Sequence, residues 1–385
     1  MSKVYLSYNN IISSLGFDSK SVVEKIHNEV SGLTLVNDVK LFSRPFYSSL
    51  IHTGKLKEAF YVLNPIKEYT RLEQMMITSL SDCITTSGIT ITDRIGLIIS
   101  TTKGNIDVLD EENSFPEERS YLSELGKSVG EFFKFKNDAI IVSNACVSGI
   151  LAVAVAKRYI IQGTYDHVFI ASGDVVTEFI LSGFNSFQAI SDAPCKPYCK
   201  NRTGINIGEV AASVLVTSDS KLLNEESVEV IGEGSCNDAN HISGPSRTGE
   251  GLYRSIASAL KQAKIPSDSI DYISAHGTAT NYNDEMEAIA FNRHDLGSTP
   301  VNSLKGFFGH TLGASGLLET IVGMHSLKNN TLYVSLGFEE MGVSQPINVI
   351  EETTVKELNT FLKTASGFGG CNTAILFQTI QKTNI

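Results

Sequence analysis

The sequence is short of positive charge. Its 31 lysines and arginines stand against 42 aspartates and glutamates, a formal net charge of −11. That balance disfavours a general nucleic-acid or anionic-membrane footprint, so an anionic partner must find a local basic patch. Long apolar runs are also missing: none approaches the roughly 18 residues that a membrane-spanning helix needs. Met1-Ser2-Lys3 leads straight into Val4-Tyr5-Leu6-Ser7-Tyr8, too short and too polar for a signal-peptide core. The expectation is a cytoplasmic chain with no membrane partner. Only 9 of 385 residues are proline, 19% are charged and 42% are apolar, so disordered, collagen-like and coiled-coil readings fail. The length suits two to three units, or one large fused α/β domain. Six cysteines (Cys83, Cys146, Cys195, Cys199, Cys236 and Cys371) are scattered through the chain, which fits reduced thiols better than a disulfide framework. Cys195 and Cys199 are the one close pair, and no second Cys or His pair of matching spacing follows; no metal site is expected.

What is present is an α/β rhythm. Arg94 to Ser100, Ala139 to Ser143, His167 to Ser172 and Val210 to Thr217 read as strands, several apolar on both faces as in a buried parallel sheet. Ala152 to Ile161 and Val175 to Phe184 follow such strands with helical spacing, which favours βαβ units. The polar stretch Ser218 to Glu226 reads as a seam. The pattern then restarts: Val228 to Ile231, Ile270 to Ala275 and Ala374 to Gln378 as strands, Tyr253 to Ala263 and Asp284 to Phe291 as helices. Two similar halves are expected, residues 1–220 and 221–385.

Three strand-to-helix turns carry the unusual residues. Ile140 to Val142 delivers Asn144-Ala145-Cys146-Val147-Ser148-Gly149, placing a thiol where free backbone N–H groups and the positive end of a helix dipole favour thiolate. Such a cysteine is either a nucleophile or a small apolar residue packed at a strand end. The second turn, Ala275-His276-Gly277-Thr278-Ala279-Thr280, precedes Asn283-Asp284-Glu285-Met286-Glu287; Asn283 or Asp284 is expected to cap the helix, and the small residues leave the imidazole approachable. The third runs from Lys305 through Gly309-His310-Thr311-Leu312-Gly313 to Gly316 and Glu319. Lys305 and Glu319 read either as a surface pair or as a partly buried ion pair that fixes the loop.

Together these turns resemble the active site of the elongating β-ketoacyl-acyl carrier protein synthases, within the thiolase-fold condensing enzymes. Ala145-Cys146-Val147-Ser148-Gly149 resembles the nucleophile motif, His276-Gly277-Thr278-Ala279-Thr280 with Asn283-Asp284 and Glu287 the first histidine motif, and Lys305 through His310 to Glu319 the second. Ser366-Gly367-Phe368-Gly369-Gly370-Cys371-Asn372 is similar to the C-terminal glycine-rich loop. Four motifs in family order make a specific signal. The fold implied is a duplicated five-layer αβαβα α/β fold over the whole chain, with the nucleophile in the first half and both histidines in the second.

The resemblance implies a decarboxylative Claisen condensation between a Cys146-bound acyl group and malonyl-acyl carrier protein, in fatty-acid, polyketide or polyene biosynthesis, without a cofactor. In that scheme Cys146 attacks the acyl thioester, and the backbone N–H groups of Cys146 and Phe368 form the oxyanion hole. Neutral His276 and His310 stabilise the enolate left by decarboxylation. Lys305 and Glu319 support the His310 loop, and Thr278 and Thr280 bind the phosphopantetheine arm. Phe184, Phe368 and Lys103 are expected to line the acyl tunnel. Lys67 and Arg71, four apart and on one face if helical, are candidates for docking an acidic carrier protein; they also fit an ordinary solvated face. The family implies a homodimer, or a heterodimer with a chain-length-factor paralogue, joined along the Ala139 to Ser143 strand. The chain departs from the pattern at Pro197-Tyr198-Cys199, at Cys371 and in a shortened stretch between Gly104 and Cys146. The alternative is a non-catalytic partner of the chain-length-factor kind, which typically lacks the nucleophile. A degradative thiolase would need a second cysteine, for which Cys371 is the candidate.

Overall fold

A computed structural model describes residues 3–64, 66–238 and 244–380, and Met1 and Ser2 of the leading segment lie outside it. Its backbone is organised by eleven strands: β1 (Tyr5–Ser13), β2 (Ile95–Ser100), β3 (Ile140–Val142), β4 (His167–Asp174), β5 (Val210–Thr217), β6 (Val228–Asn237), β7 (Tyr272–Ser274), β8 (Pro300–Asn302), β9 (Asn348–Val349), β10 (Thr360–Gly367) and β11 (Cys371–Thr379). They form one sheet in the order β9-β8-β7-β10-β11-β6-β1-β5-β4-β2-β3. The two sides of that sheet are joined at Tyr5↔Glu229 and Leu6↔Val228. Away from this junction each side repeats one design. From the centre outward, β1-β5-β4-β2-β3 and β6-β11-β10-β7-β8 both run through two antiparallel pairings and then two parallel ones. With the extra edge strand β9 of the second side left aside, first, fifth, fourth, second and third strands follow in both, so the chain carries a duplicated αβ unit.

Helices fill the layers. α1 (Arg71–Ser87) covers β5, β1 and β4 on an outer face, and α4 (Glu250–Ala263) covers β6 and β11 on the other. Between the sheet halves lie α2 (Ser148–Ile161) and α6 (Ser315–Asn329), packed on each other. α6 is buried from Ser315 to Leu327, as expected of a helix in a central layer. Close approach of the two depends on missing side chains. A Cβ on Gly149 would fall 2.7 Å from Gly313 O, and one on Gly316 would fall 2.6 Å from Ile150 N.

The expected elements recur with shifted ends. The expected Val175–Phe184 helix is α3 (Glu178–Ser186), because β4 runs on to Asp174 and Thr177 caps the helix by accepting from Ile180 N at 3.3 Å. The expected helix from Asp284 is α5 (Asn281–Asn292), capped by Thr280 and not by Asn283 or Asp284. Asp284 instead turns inward, where Tyr198 N and Thr278 N donate to it at 2.7 and 2.9 Å. The Ala139 to Ser143 run contracts to three residues at the sheet's edge. No described helix is long and apolar enough to cross a membrane.

Candidate active site

Cys146 and His310 occupy equivalent places in the two repeats. Each follows the third strand of its half, β3 or β8, and each precedes a central helix, α2 or α6. The duplicated topology therefore points two helix N-termini at one another and sets both side chains between them. On the cysteine side the turn is held by Ala145 in the left-handed region, φ +44°, which costs a non-glycine residue about 1–2 kcal/mol. Ser148 Oγ accepts from Asn144 N at 2.8 Å and donates to Ala145 O at 2.6 Å, locking that conformation. On the histidine side, Gly309 takes φ +66° and His310 N donates to Asn206 O at 2.6 Å.

The rings and the thiol converge. His310 Nε2 lies 3.1 Å from Cys146 Sγ, while its Nδ1 lies 3.1 Å from Ser315 Oγ. The His276 ring stands nearly perpendicular to that of His310, with centroids 5.1 Å apart. Sulfur and ring nitrogens of Cys146, His276 and His310 all lie within 4.8 Å of one another. These are the donors a zinc ion would use, but the 3.1 Å sulfur–nitrogen contact is already a hydrogen bond. Burial, then Lys305, holds the His310 imidazole well below its ordinary value. Burial, Lys305, His310 and Lys363 do the same for His276. Both rings are therefore neutral at physiological pH, able to donate from one nitrogen and accept at the other. His276 Nδ1 is buried without a hydrogen-bond partner among the described residues.

The thiol departs from expectation. Burial, followed by the neighbouring Cys371, pushes Cys146 up to about 12, so loss of solvation outweighs the pull of the helix terminus, and the resting residue is a thiol. Its proton has an acceptor in neutral His310.

Beneath the histidines lies a charged layer that is almost completely buried. Lys305 and Glu319, 1% and 3% exposed, pair at 2.6 Å; of the two readings, the surface pair is excluded. Lys305 Nζ also donates to His276 O at 2.6 Å, so it ties the two histidine turns together. Glu287 accepts from His276 N at 2.8 Å, Gly277 N at 2.7 Å, Asn283 Nδ2 at 2.9 Å and Tyr198 Oη at 3.0 Å. The departure Pro197-Tyr198-Cys199 thus reaches the site through the tyrosine hydroxyl. Asp284 is pushed up to about 7 by its burial. Lys363 was not anticipated from the sequence: it is fully buried on β10, and its Nζ sits 2.7 Å from Glu319 Oε2. The available signal was a lysine inside an apolar strand, Phe361-Leu362-Lys363.

A cleft of about 440 Å³ opens over the triad and is lined by Thr278, Thr280, Phe184 and Phe368 among others. Thr278 and Thr280 hydroxyls meet at 2.9 Å. Phe368 is 37% exposed and its ring packs on Phe184 and on Phe187, which the sequence reading missed, at 5.6 and 5.4 Å. Behind it, a Cβ on Gly367 would fall 3.0 Å from both Cys146 N and Cys371 Sγ; glycine is what lets this loop lie on the nucleophile. Cys371 is buried beside that loop. Cys195 and Cys199 are buried too, and Cys195 Sγ donates to Lys305 O at 3.0 Å.

Two expected placements are corrected. Lys103 is exposed and does not line the cleft, because it follows the end of β2 in a bend at the surface. Lys67 and Arg71 do not share a helical face: α1 starts at Arg71, and Lys67 lies in the preceding bend over the Tyr69 ring, 5.1 Å from its centroid. Arg71 is turned inward, donating from Nε at 3.0 Å and Nη2 at 2.6 Å to the buried carboxylate of Glu209.

Residues 50–221 match the N-terminal domain and residues 228–339 the C-terminal domain of the beta-ketoacyl synthase family. The chain is 34% identical over 254 residues to 3-oxoacyl-[acyl-carrier-protein] synthase 2 of Rhizobium meliloti, covering 62% of this chain and 60% of that relative's length. It is 26% identical over 399 residues to the tetracenomycin polyketide synthase ketoacyl synthase alpha subunit of Streptomyces glaucescens, covering 92% of each. Among solved structures it superposes, at TM-score 0.87 and 22% identity over 98% of both chains, on a chain of the complex of the ketosynthase ApeO with its chain length factor ApeC from Xenorhabdus doucetiae. Two adjoining domain matches, the duplicated sheet and the shared thiolase-like fold agree: the chain belongs to the beta-ketoacyl synthase family.

Proposed function

We propose that this chain is a β-ketoacyl-acyl carrier protein synthase that joins an acyl group on Cys146 to a malonyl unit on an acyl carrier protein. The observation that carries the proposal is the buried thiol 3.1 Å from a neutral imidazole, with a second neutral imidazole beside it. In the first step the thiol attacks the acyl thioester. Its proton passes by way of His310 Nε2 to the departing carrier thiol, and the acyl group remains on sulfur. The N–H groups of Cys146 and Phe368 are the donors for the tetrahedral oxyanion, at a loop that Gly367 brings against Cys146. In the second step malonyl-carrier loses carbon dioxide. The electron pair left behind is held as a thioester enolate by hydrogen bonds from His276 and from His310 in its Nε2–H tautomer, whose Nδ1 then accepts from Ser315 Oγ, and it attacks the acyl-cysteine carbonyl. The Cys146 thiolate leaves and takes up one proton from solvent, which balances the carboxylate lost as carbon dioxide. A charged imidazole would present no acceptor to the thiol, so low basicity of both rings suits both steps.

Thr278 and Thr280, paired at the cleft wall, are proposed contacts for the phosphopantetheine arm. Phe184, Phe187 and Phe368 form the aromatic wall for the acyl chain. The division into units 1–220 and 221–385 and a cytoplasmic location belong to this proposal; the repeated strand order supports the former. The non-catalytic partner reading is disfavoured by the presence of Cys146 and both histidines.

Incubating the purified chain with acyl-carrier protein and weighing it intact tests the proposal. One acyl adduct is expected on the parent and none on Cys146→Ala, which also loses condensation. An adduct that survives in Cys146→Ala overturns the assignment.

A further inference from the structure

Glu319 is shared by two lysines from different elements. Lys305 approaches Oε1 from the short helix Lys305–Phe308, and Lys363 approaches Oε2 from β10, at 2.6 and 2.7 Å. All three side chains are at most 3% exposed. Isolated buried ammonium groups are costly, so a second lysine on a carboxylate that already has one needs a reason. Its remaining contacts supply one. Lys363 Nζ donates to Ser274 O at 3.1 Å, Ala275 O at 3.3 Å and Thr364 O at 2.5 Å. Ser274 and Ala275 are the two residues immediately before His276, at the point where β7 ends and the histidine turn begins. Lys305 grips the next carbonyl, that of His276 itself. Three successive carbonyls on the approach to one imidazole are thus held by two ammonium groups bridged by one carboxylate.

We infer that Lys363 is a positioning residue of the reaction site, acting on His276 through the Ser274 and Ala275 carbonyls and through the carboxylate it shares with Lys305. The inference rests on the condensing-enzyme reading for its link to turnover, but the placement of charge behind His276 does not. The groups facing Lys363 are Glu319, Lys305 and Glu287. Those facing the His276 ring are Lys305, His310 and Lys363, with Glu287 bonded to its backbone N–H. Two cations close to this imidazole and one carboxylate between them disfavour a third positive charge, which keeps the ring in the neutral form that donates a hydrogen bond to an enolate oxygen.

NMR titration of His276 in histidine-labelled protein, assigned with a His276→Gln variant, tests this without any substrate. Lys363→Met keeps the volume and removes the charge. Its His276 is expected to protonate about tenfold more readily than the parent's, a rise of roughly one pH unit. Lys363→Arg keeps the charge and should leave the titration where the parent has it. The acid limb of carbon dioxide release from malonyl-carrier should move upward by the same amount in Lys363→Met and stay in place in Lys363→Arg. A folded Lys363→Met whose His276 titrates as in the parent overturns the inference, whatever its activity. Should Lys363→Met fail to fold, Lys363→Gln decides: a raised His276 titration supports the inference and an unchanged one refutes it. A parent that releases no carbon dioxide refutes the functional reading instead, and the NMR arm still judges Lys363.

Discussion

His310 Nε2 stands 3.1 Å from Cys146 Sγ, and the two residues are counterparts in a duplicated fold, each at the turn between the third strand of its half and a central helix. Their electrostatics are set by the same burial, which pushes the thiol up to about 12 and both imidazoles down. The sign of the pH dependence follows. An imidazole whose value lies below the ordinary 6.5 stays neutral as pH falls through 6.5 and is lost only when pH falls through the lowered value. Carbon dioxide release from malonyl-carrier should therefore be flat from about pH 8 down past 6.5 and decline only in more acid solution. An acid limb centred at or above 6.5 would contradict neutral histidines. His276→Ala and His310→Ala should each lower the rate about 100- to 1000-fold, the usual loss for one preorganised oxyanion donor. His310→Ala should also slow acylation of Cys146, since the thiol then has no adjacent acceptor.

Glu319 holds two buried ammonium groups, so its removal is worse than the removal of either partner. Glu319→Gln should cost about 3–5 kcal/mol of folding stability, the range for breaking a buried ion pair from one side. Lys305→Met leaves Glu319 still paired with Lys363 and should cost less. Urea denaturation of the three proteins checks the order. Equal losses in the two variants would mean that the lysines do not share the carboxylate in solution.

Much of this architecture was legible locally. Apolar strands such as Ile95–Ser100 and Val210–Thr217 are written in consecutive residues, and so are the three turns that carry Cys146, His276 and His310. What escaped depends on contacts between distant segments. Nothing near Arg71 announces that its guanidinium will meet Glu209, 138 positions away. Nor does the sequence around Lys363 announce Glu319. Asp284 was expected at a helix cap because aspartate suits caps. Thr280 takes that place because the inward carboxylate is needed by the N–H groups of Tyr198 and Thr278. Lys103 was expected near the tunnel by analogy of position, and only the path of the chain shows it at the surface.

For carrier docking the correction at Arg71 changes the experiment. Arg71→Glu would set two carboxylates together at the buried Glu209 and test stability, not docking. Lys67 is the exposed cation of the two, and its ammonium lies over the Tyr69 ring. If an acidic carrier binds here, Lys67→Glu should slow carrier-dependent turnover at low salt and narrow the gap to the parent as salt rises, while acyl transfer from a small pantetheine thioester stays unchanged. A parent-like rate and salt dependence in Lys67→Glu would put docking elsewhere.

The edge of the sheet carries the last prediction. β3 pairs only with β2 and has no strand on its other side among the described residues. Its Ile140 and Ile141 are only partly buried. An apolar β-branched strand left open at an edge invites further strand pairing, and pairing with the same strand of a second copy about a two-fold axis would close both edges at once. The helix Leu122–Phe133 already shields one face here, since a Cβ on Gly126 would meet Ile141 Cδ1 at 2.8 Å, but a helix over the face leaves the strand's rim open. Light scattering of the purified chain should therefore give about twice 41.8 kDa. Ile141→Pro should shift it toward the monomer, because proline has no N–H to offer a facing strand. A soluble monomer in the parent refutes the homodimer. If dimer mass appears only when a paralogous subunit is added, the same edge serves a heterodimer, and Ile141→Pro should then weaken that association.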